Sequence, residues 1–62
     1  DLSAVLACLD AAYPGMRFRM IDEQECIRPH IRLFVNGNEA LRLDAAVRPG
    51  DTVHLVCALS GG

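Results

Sequence analysis

The last four residues, Leu59-Ser60-Gly61-Gly62, are where residue type and spacing most clearly suit chemistry. Glycine lacks a Cβ and reaches backbone conformations closed to other residues. Two in succession make a tail thin enough to enter a narrow channel, with the Gly62 carboxylate at its far end. Gly61 keeps the approach free of bulk, and Leu59 and Ser60 can carry the contacts by which a partner reads the tail. The bland alternative is a small, mobile terminus of the common kind. Against it stands the strand-and-turn pattern that leads into the tail.

Other residues with chemical potential are scattered. His30 and His54 could join Cys8, Cys26 and Cys57 around a metal, but no pair has the short spacing of a structural site, so no metal is expected. A cysteine–histidine nucleophile lacks a third group to orient it. Three cysteines are an odd number without CxxC spacing, which disfavours a disulfide framework and points to reduced, mostly packed thiols. All six basic residues are arginine, so this stretch offers no lysine to accept an isopeptide link.

The elements that must position the tail follow from periodicity. Leu2, Val5, Leu6, Leu9 and Tyr13 recur at the spacing of one apolar helix face, Asp1 can accept from the free N–H groups at its start, and Pro14-Gly15 ends it. Residues 16–29 show no clean period and read as a connection that drops Met20 and Ile21 onto the core. From Ile31 the period becomes two: Ile31, Leu33 and Val35 face one way, Arg32 and Phe34 the other, and Asn36-Gly37 makes a tight turn. Pairing resumes through Ala40 to Leu43, and a loop over 44–47 tucks Val47 inward. Pro49-Gly50-Asp51 makes a second turn, and Thr52 to Ala58 forms the last strand, with Val53, Leu55 and Cys57 on one face. Phe34, His54 and Val56 then share the sheet face turned away from the helix. An apolar patch there suits the docking of a partner protein, although single exposed apolar residues are common and need no such explanation.

At 62 residues the chain is one domain, residues 1–62, near the lower limit for a fold held by one apolar core. An apolar share of 52% argues against disorder, and a net charge of −2 leaves no basic stripe for nucleic acid. No apolar run has the length of a membrane span and no signal-peptide pattern opens the chain, so the expected compartment is the cytoplasm. Two or three strands would leave half of the helix face uncovered, which suggests an N-terminal hairpin preceding Asp1.

Three runs carry a family resemblance: Arg28-Pro29-His30-Ile31-Arg32-Leu33-Phe34-Val35-Asn36-Gly37, Arg48-Pro49-Gly50-Asp51-Thr52-Val53, and the terminal Leu59-Ser60-Gly61-Gly62. Together with the Leu2 to Gly15 segment they resemble the ThiS/MoaD-like sulfur carriers. The fold this implies is α+β, a ubiquitin-like β-grasp with a mixed sheet on one long helix, here without its first hairpin. The family resemblance further implies a protein co-substrate rather than an enzyme. A ubiquitin-activating-like adenylyltransferase uses ATP to adenylate the Gly62 carboxylate, and a sulfur donor or sulfurtransferase converts it to a thiocarboxylate. A sulfur-acceptor biosynthetic enzyme then takes the sulfur. The Arg-Pro-His-Ile stretch is closer to carriers serving cysteine or sulfur-containing metabolites than to the molybdopterin synthase small subunit. That subunit, and a non-covalent ubiquitin-like interaction module, are the alternative readings. Cys57 departs from the proline found at that place in many relatives.

Overall fold

The computed structural model describes residues 1–57, ordered as helix α1 (Leu2–Ala12), helix α2 (Met16–Met20) and strands β1 (Ile31–Val35), β2 (Asn38–Ala40) and β3 (Val53–Cys57). Helix α1 begins where Asp1 caps it: the Ala4 N–H donates to Asp1 Oδ1 at 3.0 Å. The next orphan donors are met from across the molecule, with Leu2 N–H to Ala45 O and Ser3 N–H to Leu43 O, both at 2.9 Å. These bonds lash the helix start to the 43–45 loop. The helix ends at Tyr13, and Gly15 at φ 92° lets the chain reverse. Asp10 Oδ1 fixes that reversal by accepting from Gly15 N–H and Arg17 N–H, each at 3.1 Å.

The 16–29 stretch corrects one expectation, because its first five residues form α2 rather than a plain connection. Met20 and Ile21 are nonetheless the two side chains it buries. Asp22 Oδ1 then organises the following loop by accepting from Gln24 N–H (2.9 Å) and Cys26 N–H (3.0 Å), and an Ile21–Ile27 bridge closes it.

Strand β1 is central, in the order β2-β1-β3. Asn36 at φ 51° and Gly37 at φ 84° form the two-residue hairpin turn to β2, in which Val35 faces Asn38 and Leu33 faces Ala40. Pairing resumes at Asn38 and stops at Ala40, earlier at both ends than the sequence suggests, and Leu41 is left exposed. Strand β3 runs antiparallel to β1 in the register Ile31–Cys57, Leu33–Leu55, Val35–Val53. The sheet expected to be mixed is thus antiparallel among the described residues. A parallel neighbour would need a further strand on the free edge of β3.

The core comprises Leu2, Leu6, Met20, Ile21, Ile31, Leu33 and Ala40. Two features of it depart from the periodicity argument. Tyr13 lies beyond the last helical turn and is exposed, so the apolar helix face ends at Leu9. Strand β3 contributes no fully buried residue: Val53 is half-buried, and Leu55, which shares Leu33's face, remains 41% exposed. On the helix side of β3 only Val53 packs against the core, while Leu55 and Cys57 on the same face stay exposed. The architecture is α+β, a helix laid against a three-stranded antiparallel sheet, consistent with a ubiquitin-like β-grasp.

Candidate functional site

Two turns set the direction in which the last strand delivers the chain. In the second, Pro49 and Gly50 (φ 92°) lie between Arg48 and Asp51, and Asp51 N–H donates to Arg48 O at 3.0 Å. Asp51 Oδ2 returns the bond by accepting from Arg48 N–H at 2.9 Å. The turn is stitched to the β1–β2 hairpin through Asn36, whose N–H donates to Thr52 O at 2.8 Å and whose Oδ1 accepts from Thr52 N–H at 2.9 Å. The backbone hydrogen bond from Arg48, followed by one from the Asn36 side chain, holds the Asp51 carboxyl below the usual aspartate range.

From that anchor β3 stays in register with β1 over all five of its residues, Val53–Cys57. Cys57 is the last described residue, and the sequence continues into Ala58 and the tail. Leu59, Ser60, Gly61 and Gly62, the residues on which the sequence places recognition and reactivity, lie outside the described residues.

The expected docking residues do come together. His54 lies directly opposite Phe34, Val56 lies opposite Arg32, and all four occupy the face away from Ile31 and Leu33. Glu39 flanks Phe34 from β2 and binds Arg32, Arg32 Nη1 donating to Glu39 Oε2 at 2.9 Å. The result is a small apolar centre, half-buried Phe34 beside 47% exposed Val56, framed by His54 and an ion pair. Unlike the core face, it meets no helix among the described residues.

The thiols correct another expectation. Cys8, Cys26 and Cys57 are free, but all three are exposed rather than packed. Cys8 points off the edge of the α1 stripe, Cys26 sits in the Asp22 loop, and Cys57 faces the helix side where β3 is uncovered. No cluster of metal-binding side chains forms among the described residues. No helix among them is long and apolar enough to cross a membrane.

Two surfaces were not visible in the local pattern. One is an apolar groove of about 390 Å³ between α1 and β3, lined by Val5, Leu9, Ala12, Val53 and Leu55 among others. The other is a hollow beside Cys57, walled by Phe18, Arg19, Arg28, His30 and Ile31. Both join residues distant in sequence, so no window of adjacent residues signals them.

No family model matches the chain, and no solved structure matches it. Among curated proteins, small archaeal modifier protein 3 from Haloferax volcanii is 36% identical over 61 residues, an alignment covering 94% of this chain. The chain spans 65% of that relative's length.

Proposed function

Since the chain is similar along nearly its whole length to an archaeal modifier protein, and its last strand leads into Leu59-Ser60-Gly61-Gly62, we propose that it is a ubiquitin-like sulfur carrier acting through the Gly62 carboxylate. The observation that carries this reading is the placement of β3. It is paired with β1 over Val53–Cys57 and anchored at its start by the Asn36–Thr52 hydrogen bonds and the Arg48–Asp51 turn, and the sequence beyond it runs into Leu59-Ser60-Gly61-Gly62. A paired, hydrogen-bonded strand thus immediately precedes the residues that carry the proposed chemistry.

In the proposed cycle an adenylating partner brings the Gly62 carboxylate to the α-phosphate of ATP. A C–O–P bond forms and pyrophosphate leaves. Hydrosulfide delivered by the sulfur donor then attacks the acyl carbon and displaces AMP, leaving a thiocarboxylate with loss of a proton. An acceptor enzyme takes the sulfur for a small-molecule product such as cysteine or another sulfur-containing metabolite. The protein itself is the co-substrate and its partners are the catalysts; the cytoplasm is the setting this chemistry suits. Leu59, Ser60 and Gly61 thread the partner's channel, and Phe34, His54 and Val56 form the docking face. The face supports a second reading as well, a non-covalent interaction module in which Gly62 is dispensable.

The incompletely covered side of β3 supports a structural proposal too. Its free edge and the apolar groove beside α1 suit a further strand pair, supplied by chain outside these 62 residues and N-terminal to Asp1. The adenylation step is tested by ATP–pyrophosphate exchange with the adenylating enzyme of the same genome. The wild-type chain should stimulate exchange and a chain lacking Gly62 should not; equal stimulation by both would overturn the carrier reading.

A further inference from the structure

Charge is unevenly spread around the base of the tail. The molecule carries a formal charge of −2. Three of its six arginines are committed to carboxylates: Arg17 to Glu25, Arg32 to Glu39 and Arg42 to Asp44. Arg19, Arg28 and Arg48 form no ion pair among the described residues. Two of these three, Arg19 and Arg28, border one hollow together with Phe18, His30 and Cys57, where Glu23 is the one acidic neighbour.

Within that hollow, Arg28 is held in place. Its Nε–H donates to Phe18 O at 2.8 Å, and its guanidinium carbon lies 4.8 Å from the centroid of the Phe18 ring. Phe18 itself is 63% exposed, so the stacked pair forms a plate at the surface rather than a buried contact. The bond and the stacking fix the plane of the guanidinium while its terminal nitrogens make no hydrogen bond among the described residues. A guanidinium fixed in this way presents a preorganised fork for a carboxylate, with little further side-chain entropy to lose on pairing. The hollow includes Cys57, after which the sequence runs through Ala58 into Leu59-Ser60-Gly61-Gly62.

We infer that the Phe18–Arg28 plate, with Arg19 and His30, is a docking surface for an acidic segment of the adenylating enzyme, placed to steer the tail toward that enzyme's nucleotide site. The inference rests on the carrier reading and adds a recognition surface separate from the Phe34 face. The carboxylate-reading chemistry follows from an arginine held by Phe18 and without an ion pair among the described residues, in a protein of net negative charge. Electrostatic contacts of this kind act chiefly on encounter and are weakened by salt.

The test is pyrophosphate exchange as a function of carrier concentration for the wild type, R19E, R19E/R28E and R48E. Arg48 forms no ion pair among the described residues, although its charge favours the Asp51 carboxylate. It lies at the opposite end of β3, so R48E imposes the same charge change away from the hollow, and the variant's melting temperature reads any loss at the turn separately. R19E/R28E should raise the KM for the carrier roughly tenfold with kcat preserved and with a flatter salt dependence. R19E should raise it part of the way, and R48E should leave it near the wild-type value. Thermal melting identifies any variant whose fold is lost, and R19E, at an exposed side chain, carries the test alone in that event. Wild-type turnover with KM unchanged in R19E and the double variant, or raised equally by R48E, overturns the docking surface and leaves the carrier reading standing. Failure of the wild type to be adenylated overturns both.

Discussion

Replacing Phe34 by alanine separates a docking residue from a core residue, because its neighbour Leu33 provides the internal standard. Leu33 is 1% exposed and belongs to the core, so Leu33→Ala should cost about 2–5 kcal/mol. A 62-residue domain holds only about 3–9 kcal/mol in total, so that loss brings it close to unfolding. Phe34 points the other way, is half-buried, and borders solvent rather than a closed cavity. Its truncation loses part of the apolar transfer energy without a cavity penalty, about 1–2 kcal/mol. Thermal melting should therefore fall by roughly 5–15 °C for Phe34→Ala and by much more for Leu33→Ala. Binding of the folded Phe34→Ala protein to the adenylating enzyme, measured by titration calorimetry well below its melting point, should weaken about tenfold. A stability loss as large as that of Leu33→Ala, together with unchanged affinity, would show that Phe34 is a core residue and that recognition lies elsewhere.

Three further outcomes follow from the geometry. The Asp51 carboxylate is stabilised by hydrogen bonds it accepts in the folded state, so its contribution is present above the ordinary aspartate range, about pH 4, and is lost as pH falls through the lower folded value. Asp51→Asn should reduce stability at neutral pH and flatten its acid dependence in melts across that window; identical pH profiles would refute the turn's role. Gly37→Ala meets no atom within 4 Å, so its cost is that of placing a Cβ at φ 84°, about 1 kcal/mol by denaturant titration, and an unchanged midpoint would contradict the turn geometry. All three cysteines are exposed, so the native, unoxidised protein should show three rapidly reacting thiols in a colorimetric titration without denaturant; a slow fraction would mean that at least one is packed.

Much of this fold was legible because short-range patterns dictate it. The Leu2–Leu6–Leu9 spacing, the Asp1 cap, the alternation from Ile31 to Val35 and the Asn36-Gly37 turn each fix local structure without help from distant residues. The grouping of Phe34, His54 and Val56 on one sheet face was legible for the same reason: once β1 and β3 alternate, their register places the three together. Helix α2 was not, since five residues present too little of a period and its start is fixed by Asp10, a residue on the preceding helix. Leu55 and Cys57 were expected inside on the strength of alternation alone. Alternation sets which face a side chain occupies, whereas burial depends on whether another layer covers that face, and among the described residues the core reaches Val53 but not Leu55 or Cys57. The pairing of Phe18 with Arg28 depends on the Asp22 loop bringing two segments ten residues apart into contact.

The central claim concerns the atoms at the end of the chain, and intact-protein mass spectrometry reads them directly. After incubation with the adenylating enzyme of the same genome, ATP and a sulfur donor, with an established sulfur carrier as the positive control, the mass of the wild-type chain should rise by the replacement of one oxygen by sulfur. Fragmentation should place the change at Gly62, and omission of ATP or deletion of Gly62 should abolish it. An unchanged mass beside a converted control would contradict the carrier account.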